Sequence, residues 1–347
     1  MPQLSNATDV AVEPAGPDVP AVAKRSAAVV PGRSAAVEYL SRYGVLAVFL
    51  VMFAVFCVLR SSTFPTADNL KSILQASSSL AVVASGLTVV FVMREFDLSF
   101  AAMAGLAAAI ATVLMSQQGV DWHVAVLVAL AAGAVAGGVN GLAIAYFGAP
   151  SFVVTLALGT VFTGIEYTLT NQQNIFERLA TGYVHIGQGA TFGVNHQIYI
   201  AAAVFLVIWI LLDLTEVGRY MHAIGANAEA SHLSGIPVAR LRLWGFVIVG
   251  LCGALAGVLL SAQAASSSPN MGAPLLLPAF AAVFLGSAAF RPGEFNAKGT
   301  LLGVLFLGVV QNGLTLLSAT PATINLVQGT LLFCAVLLTV LDRRRRT

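Results

Sequence analysis

The sequence predicts an all-α fold: a polytopic membrane helical bundle of about ten transmembrane helices with one short cytoplasmic helix between two of them. Three observations carry that expectation. Of 347 residues, 58% are hydrophobic and only 9% charged, with a mean hydropathy of +0.88, whereas a soluble domain is charged at about a quarter of its positions. The apolar residues gather into membrane-length runs without the two-residue alternation of a barrel strand. Lys and Arg concentrate in every second gap between those runs.

Residues 1–38 are rich in Ala, Pro and Val and show neither helical periodicity nor a continuous apolar core, so they read as a disordered tail. Their basic residues follow two dozen mostly neutral ones, unlike the basic start of a signal peptide. Runs able to cross ~30 Å of hydrocarbon at ~20 residues each lie at 43–59, 73–93, 98–116, 122–147, 151–170, 197–214, 243–263, 275–290, 299–318 and 322–341. Residues 39–341 therefore form one transmembrane domain with a polar insert at 216–242, followed by a basic end at 342–347.

Ten crossings put both termini on one side. On that side fall fourteen basic residues: Lys24, Arg25, Arg33, Arg42, Arg94, Arg219, Arg240, Arg242, Arg291, Lys298 and Arg343 to Arg346. Only Arg60, Lys71 and Arg178 fall on the other. This split places both termini and the polar insert in the cytoplasm. The eighth run is the shortest and admits a re-entrant reading, which makes the range eight to ten crossings.

Small residues recur at four-residue spacing, as Gly133, Gly137 and Gly141 and as Gly250, Ala254 and Val258 beside Gly253 and Gly257. Such stripes allow helices to approach closely. Cys57, Cys252 and Cys334 lie inside apolar runs and read as small buried hydrophobes, with no disulfide framework or metal spacing.

The polar insert carries its own punctuation. Asn227 can accept a bond from the free N–H groups of a first helical turn, Glu229 adds negative charge where the helix dipole is positive, and Gly235 can take the left-handed conformation that closes a last turn. Pro237 then stops the helix. A helix of about seven residues spans roughly 10 Å and is not stable alone, so it needs a partner surface.

Polar residues within the apolar runs are candidates for a solute path. Arg94, Glu95 and Asp97 in MREFDLS stand almost unpadded between the second and third runs. This stretch admits two readings: a tight turn in which Asp97 and Ser99 cap the next helix, or a break lining a polar cavity. Glu166, in FTGIEYTLTNQQN, is an intramembrane carboxylate that either belongs to a pathway or snorkels to the outer interface. Gln75, Asn140, Gln311 and Asn312 supply neutral amides suited to a polyhydroxylated solute or to interhelical bonds.

Chemistry is absent. No His pair has metal-ligand spacing, and no G-x-x-x-x-G-K-[ST] is present, so no cofactor is expected and any energy from ATP must come through another chain. An intramembrane protease built on Ser85 would lack a histidine base within any later apolar run, His123 standing only at a membrane edge.

Taken together, FDLS at 96–99, PSFVVTLALGT at 150–160, EASHLSG at 229–235 and VFLGSAAFRPGEFNAKGTLLG at 283–303 resemble the permease subunits of bacterial ABC importers for ribose and related sugars, over about residues 40–341. In that family a segment like 218–241 carries a relaxed E-A-A-x-x-x-G coupling motif, here Glu229, Ala230, Ser231 and Gly235. The resemblance implies an inner-membrane importer. The short helix would dock on an ATP-hydrolysing subunit that itself binds ATP, a second permease copy would complete the path, and a periplasmic binding protein would deliver the solute. Lipid would surround the bundle, and no nucleic-acid partner is implied. The chain departs from the family where Met93, Arg94, Glu95 and Phe96 precede Asp97, and Phe100 and Ala101 follow Ser99, in place of glycines and small residues. The segment FRPGEFNAKGT also lacks the family's glycine-rich form, so the expected solute is a sugar or sugar-like molecule of the ribose type, with no single sugar assigned. The competing expectation is an ion-coupled secondary transporter working alone, with Glu166 or Asp97 as its proton site.

Overall fold

The computed structural model describes residues 35–290 and 293–344. The expected tail therefore lies outside the described residues up to 34, as does the basic end from 345.

The described chain is mostly helical. Its helices are α1 (Ala35–Leu59), α2 (Ala67–Val92), α3 (Phe100–Gln118), α4 (Trp122–Ala145), α5 (Ser151–Thr170), α6 (Thr181–Gln188), α7 (His196–Trp209), α8 (Glu216–Ala226), α9 (Ala228–Leu233), α10 (Val238–Ala264), α11 (Leu276–Ser287), α12 (Ala297–Leu316) and α13 (Pro321–Arg344). Among the described residues, seven helices are long and apolar enough to cross a membrane. Shorter apolar helices, Gly44–Leu59, Ala273–Ser287 and Pro321–Cys334, stand where the first, eighth and tenth runs were expected.

The connection between the fifth and sixth runs holds more structure than its sequence suggested. It contains α6 and a small hairpin of β1 (Ala190–Thr191) and β2 (Val194–Asn195), paired antiparallel in the register Ala190 to Asn195 and Thr191 to Val194. Phe192 and Gly193 turn it with φ of 52° and 72°, the left-handed pair that tight hairpins require. This hairpin marks one end of the bundle, and the α8–α9 insert marks the other.

Both small-residue stripes are used, on opposite faces of α10. A methyl group added at Gly133, Gly137 or Gly141 would collide with the backbone of α10 at Gly250, Phe246 or Leu243, so α4 and α10 run antiparallel almost backbone to backbone. Gly253 and Gly257 face the other way, onto the carbonyls of Phe100 and Ala104 in α3. The core continues through α2, which is buried from Ser77 to Val92. Near its end Phe91 meets the rings of Phe96, Phe280, Phe284 and Phe295 edge-on, with centroids 5.0–5.4 Å apart. Of the three cysteines only Cys252 is fully buried; Cys57 is half-buried and Cys334 exposed on α13, against the expectation of three core thiols.

Two long helices each end in a stretch that does not continue as helix. After α2 the chain turns at Arg94, in the left-handed region at φ 65°, and runs on without helix to Ser99. After α10 it leaves the hairpin end and returns through 266–275 before α11 begins. Gly272 of this second stretch presses on the carbonyl of Ala101 at the start of α3. The starts of α3 and α11 thus come together, with the rings of Phe100 and Phe280 6.3 Å apart.

Candidate functional site

The insert folds as a helix pair sharing one hinge residue. Asn227 closes α8, its N–H bonding to the Ala223 carbonyl, and opens α9, where its Oδ1 accepts from Ala230 N at 3.0 Å. Ser231 Oγ donates back to the Asn227 carbonyl at 2.8 Å. Gly235 takes φ 83°, as its closing position requires. The outward face of α9 shows Glu229, Ala230 and His232 together with Leu233, 81% exposed. α8, which sequence reading did not separate from the rest of the insert, is capped by Thr215 Oγ1 accepting from Gly218 N.

The helix pair sits directly against the end of α2. A methyl group added at Gly225 would strike the Val92 carbonyl, so α8 meets α2 through bare backbone. Nearby, Arg242 Nε of α10 lies 2.9 Å from Glu95 Oε1. Its N–H is not aligned for a directed hydrogen bond, so charge proximity holds this contact. Arg94, Asp213, Arg219, His222 and Glu294 line a cleft of about 470 Å³ at this end.

From Arg94 the break rises beside α5. Phe96 N donates to Ser151 Oγ at 3.2 Å and Leu98 N to Thr155 Oγ1 at 3.1 Å. Ser99 then stands against Gly159. Eight residues separate Ser151 from Gly159, a climb of about 12 Å at the helical rise. The stretch is therefore an extended rise along the helix, not a tight turn.

Asp97, Ser99 and Asn140 are joined there in one chain of bonds. Asn140 Nδ2 donates to Ser99 Oγ at 2.7 Å, Ser99 Oγ donates to Asp97 Oδ1 at 2.7 Å, and Ser99 N donates to the same oxygen at 2.6 Å. All three side chains are buried. Ser99 makes no capping bond of its own, against the first of the two readings; its hydroxyl is taken up by Asp97 and Asn140. Asp97 performs the capping alone.

The other expected residues stand apart from this chain. Gln75 lies at the hairpin end in a cleft of about 460 Å³ with Lys71, Gln188, Asn195 and Gln263. Asn312 is on α12, with its Oδ1 buried and without a hydrogen-bond partner. Glu166 does not snorkel: it is 0% exposed, on the buried stripe of α5 that also carries Ser151, Thr155, Gly159, Phe162 and Thr170. Its Oε1 accepts from Asn270 N at 2.7 Å.

Sequence reading missed the hydroxyls of Ser151 and Thr155 as partners of the break. Their spacing of four residues on one face of α5 was the available signal. It also noted Glu95 and Arg242 as charges without pairing them, since no local spacing links residues so far apart in the chain.

Residues 69–336 match the family model described as branched-chain amino acid transport system / permease component. The chain belongs to this permease family. Its relatives include the ribose import permease protein RbsC of Escherichia coli K12, 35% identical over 84% of this chain and 91% of that protein. The L-arabinose ABC transporter permease protein AraH of Azospirillum brasilense is 31% identical over 92% of this chain and 94% of its own length. The ribose import permease protein RbsC of Bacillus subtilis is 33% identical over 80% and 85%. No solved structure matches the chain. The permease is thus a multi-pass membrane protein of a transport family, as the resemblance of its motifs implied.

Proposed function

We propose that the permease is the membrane subunit of an ATP-driven ABC importer that carries a sugar or sugar-like solute into the cytoplasm. The observation that carries this reading is α9, a six-residue helix with its own cap and a largely exposed Leu233, set between α8 and α10. So short a helix needs an external surface to hold it, and an ATP-hydrolysing subunit would supply one. The sugars named for the relatives support the solute class.

In this reading the chain makes ten crossings of a bacterial inner membrane, with α9 and both termini cytoplasmic by the distribution of Lys and Arg. The hairpin end then faces the periplasm and receives a solute-binding protein. A second permease, identical or related, completes the path. Residues Glu229, Ala230, Ser231 and Gly235, with Asn227 at the hinge, form the coupling segment. A pull on α9 reaches α2 through the Gly225 contact and the break through Arg242 and Glu95. The break, with Asp97, Ser99 and Asn140, and the residues Gln75, Glu166 and Asn312 are candidates for the path. Catalysis and ATP binding belong to the partner.

The second reading, ion-coupled transport by this chain alone, draws on Glu166, whose Oε2 is buried without a directed hydrogen-bond partner. Such carboxylates serve as proton sites in secondary transporters. Co-purification separates the two. The permease should bring down an ATPase and a binding protein, and mass spectrometry of what the binding protein holds should find a sugar. Purification as a lone chain, with uptake intact, would reject the importer.

A further inference from the structure

We infer that Glu166 is a positioning residue for transport: it clasps the returning segment 266–272 to α5 and so sets where that segment meets the start of α3. The inference rests on the importer reading for its functional consequence and on geometry for the clasp itself.

The segment has no helix or sheet of its own to hold it. Three contacts do so, and a fourth seats the Glu166 carboxylate. Glu166 Oε1 accepts from Asn270 N at 2.7 Å. Ser267 exchanges two backbone bonds of 2.8 Å with Ile175, just beyond the end of α5. Gly272 presses on the backbone of Ala101, and Gly105 leaves room for the Glu166 carboxylate, since a methyl group there would lie 2.6 Å from Oε2. Asn270 sits at φ 61°, in the left-handed region that asparagine adopts more readily than most other residues.

Within this set Glu166 is the only side chain that bonds the segment to α5 among the described residues. A carboxylate is a costly choice for a fully buried position. A neutral group could fill the same space, so the charge has to be repaid by what it holds. A carboxylate bond to a backbone N–H is of the charge-assisted kind, and here it adds a side-chain hold at Asn270, between the Ser267–Ile175 pair and the Gly272 contact. Glu166 and Ser99 lie on one line, because α5 meets the break through Thr155 and Gly159 and the returning segment through Glu166. One helix face therefore holds both interrupted stretches. A displacement of α5 moves them together.

The test uses the full chain in nanodiscs with Cys57, Cys252 and Cys334 replaced by alanine. Ser267→Cys is the reporter, because Ser267 is 1% exposed and its Oγ makes no hydrogen bond, so the thiol fits without losing a contact. Glu166→Met keeps the approximate volume and replaces the carboxylate by an apolar group suited to a buried position, yet cannot accept from Asn270. Maleimide labelling of the reporter should then be about tenfold faster or more, the factor expected for one charge-assisted hydrogen bond. Glu166→Gln retains an acceptor and should label at the parent rate. In the reconstituted complex Glu166→Met should lower maximal uptake with the half-saturating concentration of loaded binding protein unchanged, and Glu166→Gln should restore it. Equal labelling in all three proteins would overturn the clasp. If the parent complex shows no ATP-driven uptake while labelling still separates Met from Gln, the importer reading fails and the clasp stands.

Discussion

Arg242 Nε lies 2.9 Å from Glu95 Oε1, tying the foot of α10 to the turn that ends α2. The side chains are 26% and 12% exposed, so water screens the pair less than it would a surface ion pair. The contact crosses from the segment following α9 to the start of the break. Glu95→Gln or Arg242→Met should each slow ATP-driven uptake, and the exchanged pair Glu95→Arg with Arg242→Glu should recover part of it. A double-mutant cycle on thermal unfolding should give a coupling of about 1–2 kcal/mol. Strict additivity would mean that the two charges act separately.

The α9 helix is exposed and makes few contacts with the bundle, so its substitution should affect coupling and leave folding intact. Glu229→Lys is expected to abolish solute-stimulated ATP hydrolysis in the reconstituted complex while the melting temperature stays within a degree or two of the parent. Asn227→Ala removes the side-chain cap of α9 while leaving the backbone bond that closes α8, and should cost about 1 kcal/mol locally, read as faster hydrogen exchange in 228–233. Undiminished stimulation in the Glu229 variant would rule out this helix as the coupling element.

Gly137 holds α4 against the backbone of α10 at Phe246. Gly137→Leu has nowhere to put its side chain, since the neighbour is main chain on a rigid helix. The cost is expected to exceed the roughly 1–3 kcal/mol of ordinary overpacking, seen as loss of folded protein in size-exclusion chromatography. Gly164, with nothing near its added methyl, is the control: Gly164→Ala should be neutral or slightly stabilising through helix propensity.

At the start of α4, Asp121 accepts from the ring and backbone of His123, both at Oδ1. These bonds hold its carboxyl below the usual carboxylate range. Because the folded value is depressed, the cap is fully present above the ordinary aspartate value of about 3.9 and is lost as pH falls through the lower folded value. Hydrogen exchange at the His123 amide, corrected for its intrinsic rate, should be flat from neutral pH down to that range and accelerate below it. Acceleration well above it would show that the carboxyl is not held down.

Much of this arrangement was legible because membrane helices leave local marks. The runs, the stripes of Gly133, Gly137 and Gly250, and the caps at Asn227 and Gly235 are all short-range patterns, and each appears where its spacing places it. The pairing of Glu95 with Arg242 and of Glu166 with Asn270 was not legible, since it depends on which helices become neighbours. The capping reading of Ser99 failed for a related reason. Its position before α3 fits a cap, but the deciding fact is Asn140 on α4, forty-one residues along the chain, which draws the hydroxyl into a different bond. The hairpin at 190–195 was missed because strands of two residues carry no periodic signal.

Uptake of labelled ribose or arabinose into proteoliposomes, with and without the co-purified ATPase and binding protein, decides whether α9 is pulled by a separate motor. Uptake is expected only when both partners and ATP are present, and to vanish in the Glu229→Lys variant. Accumulation driven by a pH gradient in vesicles containing this chain alone would contradict it.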